Sequence, residues 1–196
     1  MKKIIIASLI VILSGANVSF AQDHSSKKVH ELGLTFSSLN NFGMTYKCGN
    51  EKTLFRLTAL YLNANSIWGE NQSKLSGVGT SIKFGFEKRI NVVTNFNLFI
   101  GSDFGISFSY NKNDGGGAIT KQWGVSPGIS FVFGAGYQIG KNFIVSAEIA
   151  PTLMYVYEKE KISSDAGIIT TSTHNNIIFG LTNNNASITI AYRFSK

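Results

Sequence analysis

Side chains on a β-strand point alternately to opposite faces, so a period of two along the chain reports what each face meets. Between residues 78 and 87 one face carries Val78, Thr80, Ile82, Phe84 and Phe86, and the other Gly79, Ser81, Lys83, Gly85 and Glu87. The split recurs from 122 to 137. Trp123, Val125, Pro127, Ile129, Phe131, Phe133, Ala135 and Tyr137 form one face; Gln122, Gly124, Ser126, Gly128, Ser130, Val132, Gly134 and Gly136 form the other. From 95 to 110, Phe96, Leu98, Ile100, Ser102, Phe104, Ile106, Phe108 and Tyr110 oppose a set that includes Asn97, Gly101, Asp103, Gly105 and Ser107. From 143 to 157 the apolar set is Phe143, Val145, Ala147, Ile149, Pro151, Leu153, Tyr155 and Tyr157. No segment after residue 21 carries a helical period.

The make-up of the polar face decides which way the pattern points. A soluble sandwich buries its bulky face and sets polar, often charged, residues outside. Here the second face is rich in glycine and serine, and glycine weakens an exposed strand. Small residues are what a narrow barrel needs where opposite walls approach, with the bulky face turned to lipid. The runs also exceed the five or six residues usual in globular sheets and suit the ~9–11 tilted residues that cross a bilayer. The predicted fold is all-β: a transmembrane antiparallel up-and-down β-barrel of about eight strands. A soluble lipocalin-like carrier is the alternative, and solubility without detergent would favour it.

Short connections are expected near 49–52, 88–93 and 139–142, and long polar ones near 63–76, 111–121 and 159–173. That is the asymmetry of tight periplasmic turns and longer outside loops. Eight strands result if 30–47 folds as two strands about a tight turn at 38–41 and 173–194 forms one. In that last segment the outward parity is odd at Ile177, Phe179 and Leu181 and even at Ile188, Ile190, Tyr192 and Phe194. A one-residue bulge near 183–185 is therefore expected. Reading the asparagine run there as a hairpin gives nine strands, and ten also fits the spacing. Pro127 and Pro151, each lacking a ladder donor, are expected at one height near the outside rim.

The chain opens with Met1-Lys2-Lys3, an apolar run from Ile4 to Leu13, and small residues through Ser19 and Ala21. This reads as a signal peptide over 1–21, its apolar run too short to span a membrane as a helix. Residues 22–29 follow as a polar lead-in and 30–196 as the barrel domain, exported to the outer membrane. The single cysteine, Cys48, permits no internal disulfide. Lysine and arginine number 18 against 11 acidic residues. The excess is spread over turns, which suits anionic lipid headgroups rather than nucleic acid.

Parity places Glu31, Lys47, Arg56, Lys83, Glu87, Asp103, Glu148 and Arg193 on the inward face. An arginine or lysine facing lipid at mid-bilayer costs ~2–4 kcal/mol, so the inward side is the one expected. Four basic and four acidic groups predict a paired lumen charge network that plugs the barrel. A selective pore more often lines its constriction with one sign, and a narrow porin-like channel is kept as the alternative. Easier unfolding of Arg56→Ala is expected. Aromatic residues are expected in two girdles, with Tyr61, Trp68, Tyr110, Trp123, Tyr155 and Tyr157 outside and Phe86, Phe96, Tyr137, Phe143, Tyr192 and Phe194 on the periplasmic side.

No catalytic, cofactor-binding or metal-binding set is predicted. His24, His30 and His174 lack metal-ligand spacing. His174 with Ser172 or Ser163 is the pair on which an outer-membrane lipid-modifying enzyme would rest, and an exposed rim histidine is the plainer reading. Gly115-Gly116-Gly117 lacks the Lys-Ser/Thr of a phosphate loop.

The closing residues Ile188-Thr189-Ile190-Ala191-Tyr192-Arg193-Phe194 alternate up to an aromatic, with Ser195 and Lys196 after it. They resemble the C-terminal recognition strand of outer-membrane proteins. Together with Leu39-Asn40-Asn41-Phe42-Gly43 and Gly85-Phe86-Glu87-Lys88-Arg89, they make the mature chain similar to the small outer-membrane β-barrel family of Gram-negative bacteria, of the OmpA/OmpX type. The resemblance implies a monomer in outer-membrane lipid, assembled by the barrel-assembly machinery through its C-terminal strand. Surface partners would meet the outside loops.

Overall fold

The computed structural model describes residues 28–38, 41–68, 74–115, 117–164, 167–181 and 185–195, of which 60–68, 74 and 195 by their backbone alone. The expected signal peptide and most of the lead-in fall outside the described residues. Ten strand segments follow in order: β1 (Val29–Ser38), β2 (Asn41–Gly49), β3 (Thr53–Trp68), β4 (Lys74–Val93), β5 (Phe96–Asp114), β6 (Ala118–Ile139), β7 (Phe143–Ile149), β8 (Thr152–Ser164), β9 (Ile169–Gly180) and β10 (Ala186–Ser195). Neighbours pair antiparallel from β1 to β6. β6 then pairs with both β7 and β8, β8 with β9, β7 with β10, and β10 with β1. β7 and β8 are two halves of one stave, and so are β9 and β10. The wall is a closed barrel of eight staves.

The two breaks have different causes. Across Ala150 and Pro151 the register is kept, since Phe133↔Ile149 and Ser130↔Thr152 lie on one ladder. The Phe131 N–H still donates to the Pro151 carbonyl at 3.0 Å; only the donor that proline lacks is missing. Across 181–185 the register shifts. Ile149 faces Ala186 and Thr152 faces Gly180, so six steps on one side oppose three on the other. The expected one-residue bulge is an insertion of three. Any odd insertion reverses the outward parity, which is why the sequence pattern switches there.

Four connections differ from expectation. Residues 63–76, 111–121 and 159–173 are mostly paired strand, with Trp68↔Lys74, Asp114↔Ile119 and Ser163↔Ile169 near the tips. These hairpins rise out of the apolar band, and both faces then meet water, so the period of two disappears from the sequence. At the other end β4 runs on through 88–93, and the turn is Thr94-Asn95, with Asn95 in the left-handed region at φ 67°. Asparagine is one of the few side chains that tolerate it. Pro127 and Pro151 also do not share a height. Pro151 faces Phe131, four residues from Pro127, and both lie in the apolar band below the Trp123–Tyr157 rings.

One row of ladder partners runs Ala186–Ile149–Phe133–Ile100–Lys88–Thr53. Continued to β1 at both ends, it joins Ser38 to Lys28, a shear of about 10 residues; with eight staves this tilts the strands by roughly 40°. The faces sort as the alternation requires. Phe131 is 53% exposed and its neighbour Val132 0%. Aromatic rings meet at both ends of the band, Trp123 against Tyr157 at 5.5 Å toward the outside and Phe143, Tyr192 and Phe194 at 5.3 and 4.8 Å at the periplasmic end, and also between them, with Phe84 against Phe104 at 5.3 Å. The side chains of Tyr61 and Trp68 lie outside the described set.

Candidate functional site: the charge layer across the lumen

Inward positions on eight tilted staves converge on an axis only a few ångströms wide, so long polar side chains at one level must meet. Seven of the eight predicted groups do so. Arg56 on β3 reaches across the barrel and donates from Nη2 to both carboxylate oxygens of Glu148 on β7, at 2.8 and 3.0 Å. Its Nη1 donates to Glu87 Oε2 on β4 at 3.3 Å, and its Nε stands 3.2 Å from Asp103 Oδ1 on β5 as an ion pair. Lys47 on β2 donates to the same Glu87 oxygen at 2.7 Å. On the periplasmic side Arg193 of β10 donates to Glu31 Oε1 of β1 from Nε and Nη2, at 3.0 and 2.8 Å.

The link between these two groups is a residue that the sequence pattern places in a turn. Arg89 donates to both oxygens of Glu31 at 2.6 and 2.7 Å and to Glu87 Oε1 at 2.6 Å. With it the chain of pairs is continuous, and the layer holds four basic groups, Lys47, Arg56, Arg89 and Arg193, against four acidic ones. Gln138 on β6 accepts from Arg193 at 3.0 Å, so every stave contributes a side chain. The eighth predicted group, Lys83, stands above this layer, where its charge interacts with Asp103 and Glu148.

The layer is dry. The Glu87 side chain is 0% exposed and that of Lys47 3%. Burying charges is costly, and the cost is offset only when each finds partners. Space is provided by glycine. A Cβ at Gly85, facing Arg56 in the register, would collide with Asp103, and one at Gly134 would collide with the Phe99 ring. Phe99 is an inward aromatic that the alternation did not flag. Lys47 Nζ sits 5.2 Å from its ring centroid, a cation–π contact. Above the charges Thr189, Thr35, Thr45 and Thr58 form a hydroxyl row across β10, β1, β2 and β3, with links of 2.8, 2.7 and 3.0 Å. Thr45→Val removes the middle of that row, and a loss of about 1–2 kcal/mol in unfolding free energy is expected from denaturant titration.

Two cavities flank the layer and share no lining residue. The outer one, about 290 Å³, is lined by Ser81, Lys83, Ser107, Ser109, Ser126 and Met154 among others. The inner one, about 410 Å³, is bounded by Arg89, Asn91, Asn97, Gln138 and Arg193. Elsewhere chemistry is sparse. His174 lies exposed within β9, and Ser172 donates to Glu160 at 3.3 Å. His30 contacts the Tyr46 hydroxyl at 2.8 Å. Among the described residues no group of three or more His, Cys, Asp or Glu is placed to hold a metal.

No family model matches the chain, and no curated protein matches it. Solved structures do. A major outer membrane protein from Thermus thermophilus superposes with a TM-score of 0.56 at 10% identity, covering 85% of this chain and 99% of that one. CarO and CarO2 from Acinetobacter baumannii match at TM-scores of 0.36 and 0.39, each at 11% identity, with 87% of this chain and 97% and 99% of theirs covered. The Thermus protein shares the fold: this chain is a barrel of the outer-membrane type.

Proposed function

We propose that this chain is an integral outer-membrane protein with a structural or surface-interaction role, its lumen closed by the charge layer. The observation that carries the reading is the unbroken set of ion pairs and hydrogen bonds from Arg193 to Glu148, joined by all eight staves and lying between two separate cavities. In this reading residues 1–21 direct export, β10 presents the C-terminal strand to the barrel-assembly machinery, and the barrel works as a monomer of the OmpA/OmpX type. The β3–β4, β5–β6 and β8–β9 hairpins are the surfaces offered to partners outside. The layer separates the two cavities, which supports a closed barrel over a narrow channel.

Purified protein in planar bilayers tests the closure. No steady single-channel current is expected, with insertion verified by the heat-dependent gel shift of the folded barrel. Regular ohmic steps from the inserted wild type would replace the plug with a pore.

A further inference from the structure

The wall of the barrel is not of even height. Three outer hairpins are long, but β1 ends at Ser38 and β2 begins at Asn41. Ser38 lies on the ladder row of Ile149, eight residues short of Tyr157 on the same stave. Allowing for tilt and stagger, the β1–β2 tip stands roughly 15 Å below the Trp123–Tyr157 rings. Above it, among the described residues, no strand stands between β3 and β9. β3 pairs with β2 no further than Leu62, and among the described residues β9 pairs only with β8. An unpaired sheet edge is not tolerated against hydrocarbon unless something polar accompanies it. Yet β9 remains apolar here, with Ile177 76% and Phe179 71% exposed. Ile178, on the face that turns inward, is also exposed, and among the described residues no strand but β8 pairs with β9.

The gap leads to the outer cavity. Asn41, at the β1–β2 tip, and Asn185, in the break between β9 and β10, both line that cavity. Its walls are mostly glycine and hydroxyl-bearing residues with Met154 and Phe108 among them, and Lys83 stands at its floor. We propose that the gap is a lateral window through which the barrel takes an anionic single-chain amphiphile from the outer leaflet. The headgroup occupies the hydroxyl-lined cavity over Lys83, and the chain leaves through the window along Ile177, Ile178 and Phe179. A chamber that offers a lysine and several hydroxyls, opening sideways at the depth of lipid onto a greasy edge, matches a ligand that is itself polar at one end and apolar at the other. The inference rests on the membrane placement proposed above.

The methionines provide the test. Met154 lines the cavity and Met44 is an outward, exposed residue of β2. In protein carrying ¹³C-methyl methionine, in phosphatidylcholine nanodiscs, dodecanoate is expected to shift the Met154 signal saturably while acetate at equal concentration leaves it in place. Lys83→Gln is expected to weaken the response about tenfold, the scale of one charge-assisted contact. Gly79→Leu is expected to abolish it by filling the cavity; a Cβ there meets only the Phe108 carbonyl, at 3.7 Å, so the fold has room for it. Equal shifts with acetate would mean an anion site reached from water and would overturn the proposal, as would no shift with dodecanoate, or a shift unchanged in Lys83→Gln or in Gly79→Leu. Paramagnetic lipid separates the two levels. Broadening of Met44 with a silent Met154 refutes the window alone, whereas an unbroadened Met44 refutes the membrane placement.

Discussion

Replacing Glu87 by alanine is expected to lower the unfolding free energy of the folded barrel in micelles by about 3–5 kcal/mol. Glu87 is the acidic hub of the layer. It accepts from Lys47, Arg56 and Arg89, and its side chain is wholly buried. Alanine would leave three cations facing one another in a dry lumen, with one carboxylate fewer to offset them. Glu87→Gln keeps the shape and an acceptor and should lose less. Glu51→Ala, in the exposed β2–β3 turn, should stay within about 0.5 kcal/mol of wild type. A denaturant midpoint for Glu87→Ala equal to that of Glu51→Ala would mean that the charges are hydrated and the layer is open.

The second large effect lies on the opposite face. Phe131→Arg is expected to cost about 2–4 kcal/mol, and Trp123→Arg, eight residues along the same strand, about 0–1 kcal/mol. The difference is one of depth. Phe131 sits between the Tyr137 and Trp123 levels of β6, where an arginine has no water to reach, whereas Trp123 stands at the outer girdle with Tyr157. Unfolding titrations of both variants in phospholipid vesicles give the comparison. Equal costs would remove the depth dependence that a hydrocarbon slab imposes.

Much of the barrel was legible in the sequence wherever a strand has lipid on one side and packed lumen on the other. There the two environments differ as much as two environments can, so 78–87, 95–110 and 122–137 alternate cleanly. The signal fades where the contrast fades. In the outer hairpins both faces meet water, and paired strand reads as loop. Arg89 was missed because Lys88, Arg89 and Asn91 look like a turn. The available sign was that Ile90 and Val92 continue the outward parity of Phe84 and Phe86. Phe99 was missed because one inward aromatic among small residues does not disturb a period of two. The partners of the inward charges were not legible at all. Arg56 and Glu148 lie 92 residues apart, and their meeting depends on shear and diameter, which single strands do not encode. The parity reversal after Leu181 was visible, but parity registers only that an insertion is odd, not that it is three.

Spin labels scanned singly from 128 to 133, on protein with Cys48 replaced by serine, report orientation and closure together. Labels at 129, 131 and 133 are predicted to collide freely with dissolved oxygen and not with a water-soluble nickel chelate, as lipid-facing sites do. The label at 132, which lines neither cavity, is predicted to be shielded from both. Nickel access at 132 would reveal a water-filled pore, and shielding from oxygen at the odd positions would reveal an apolar core sealed inside a soluble protein.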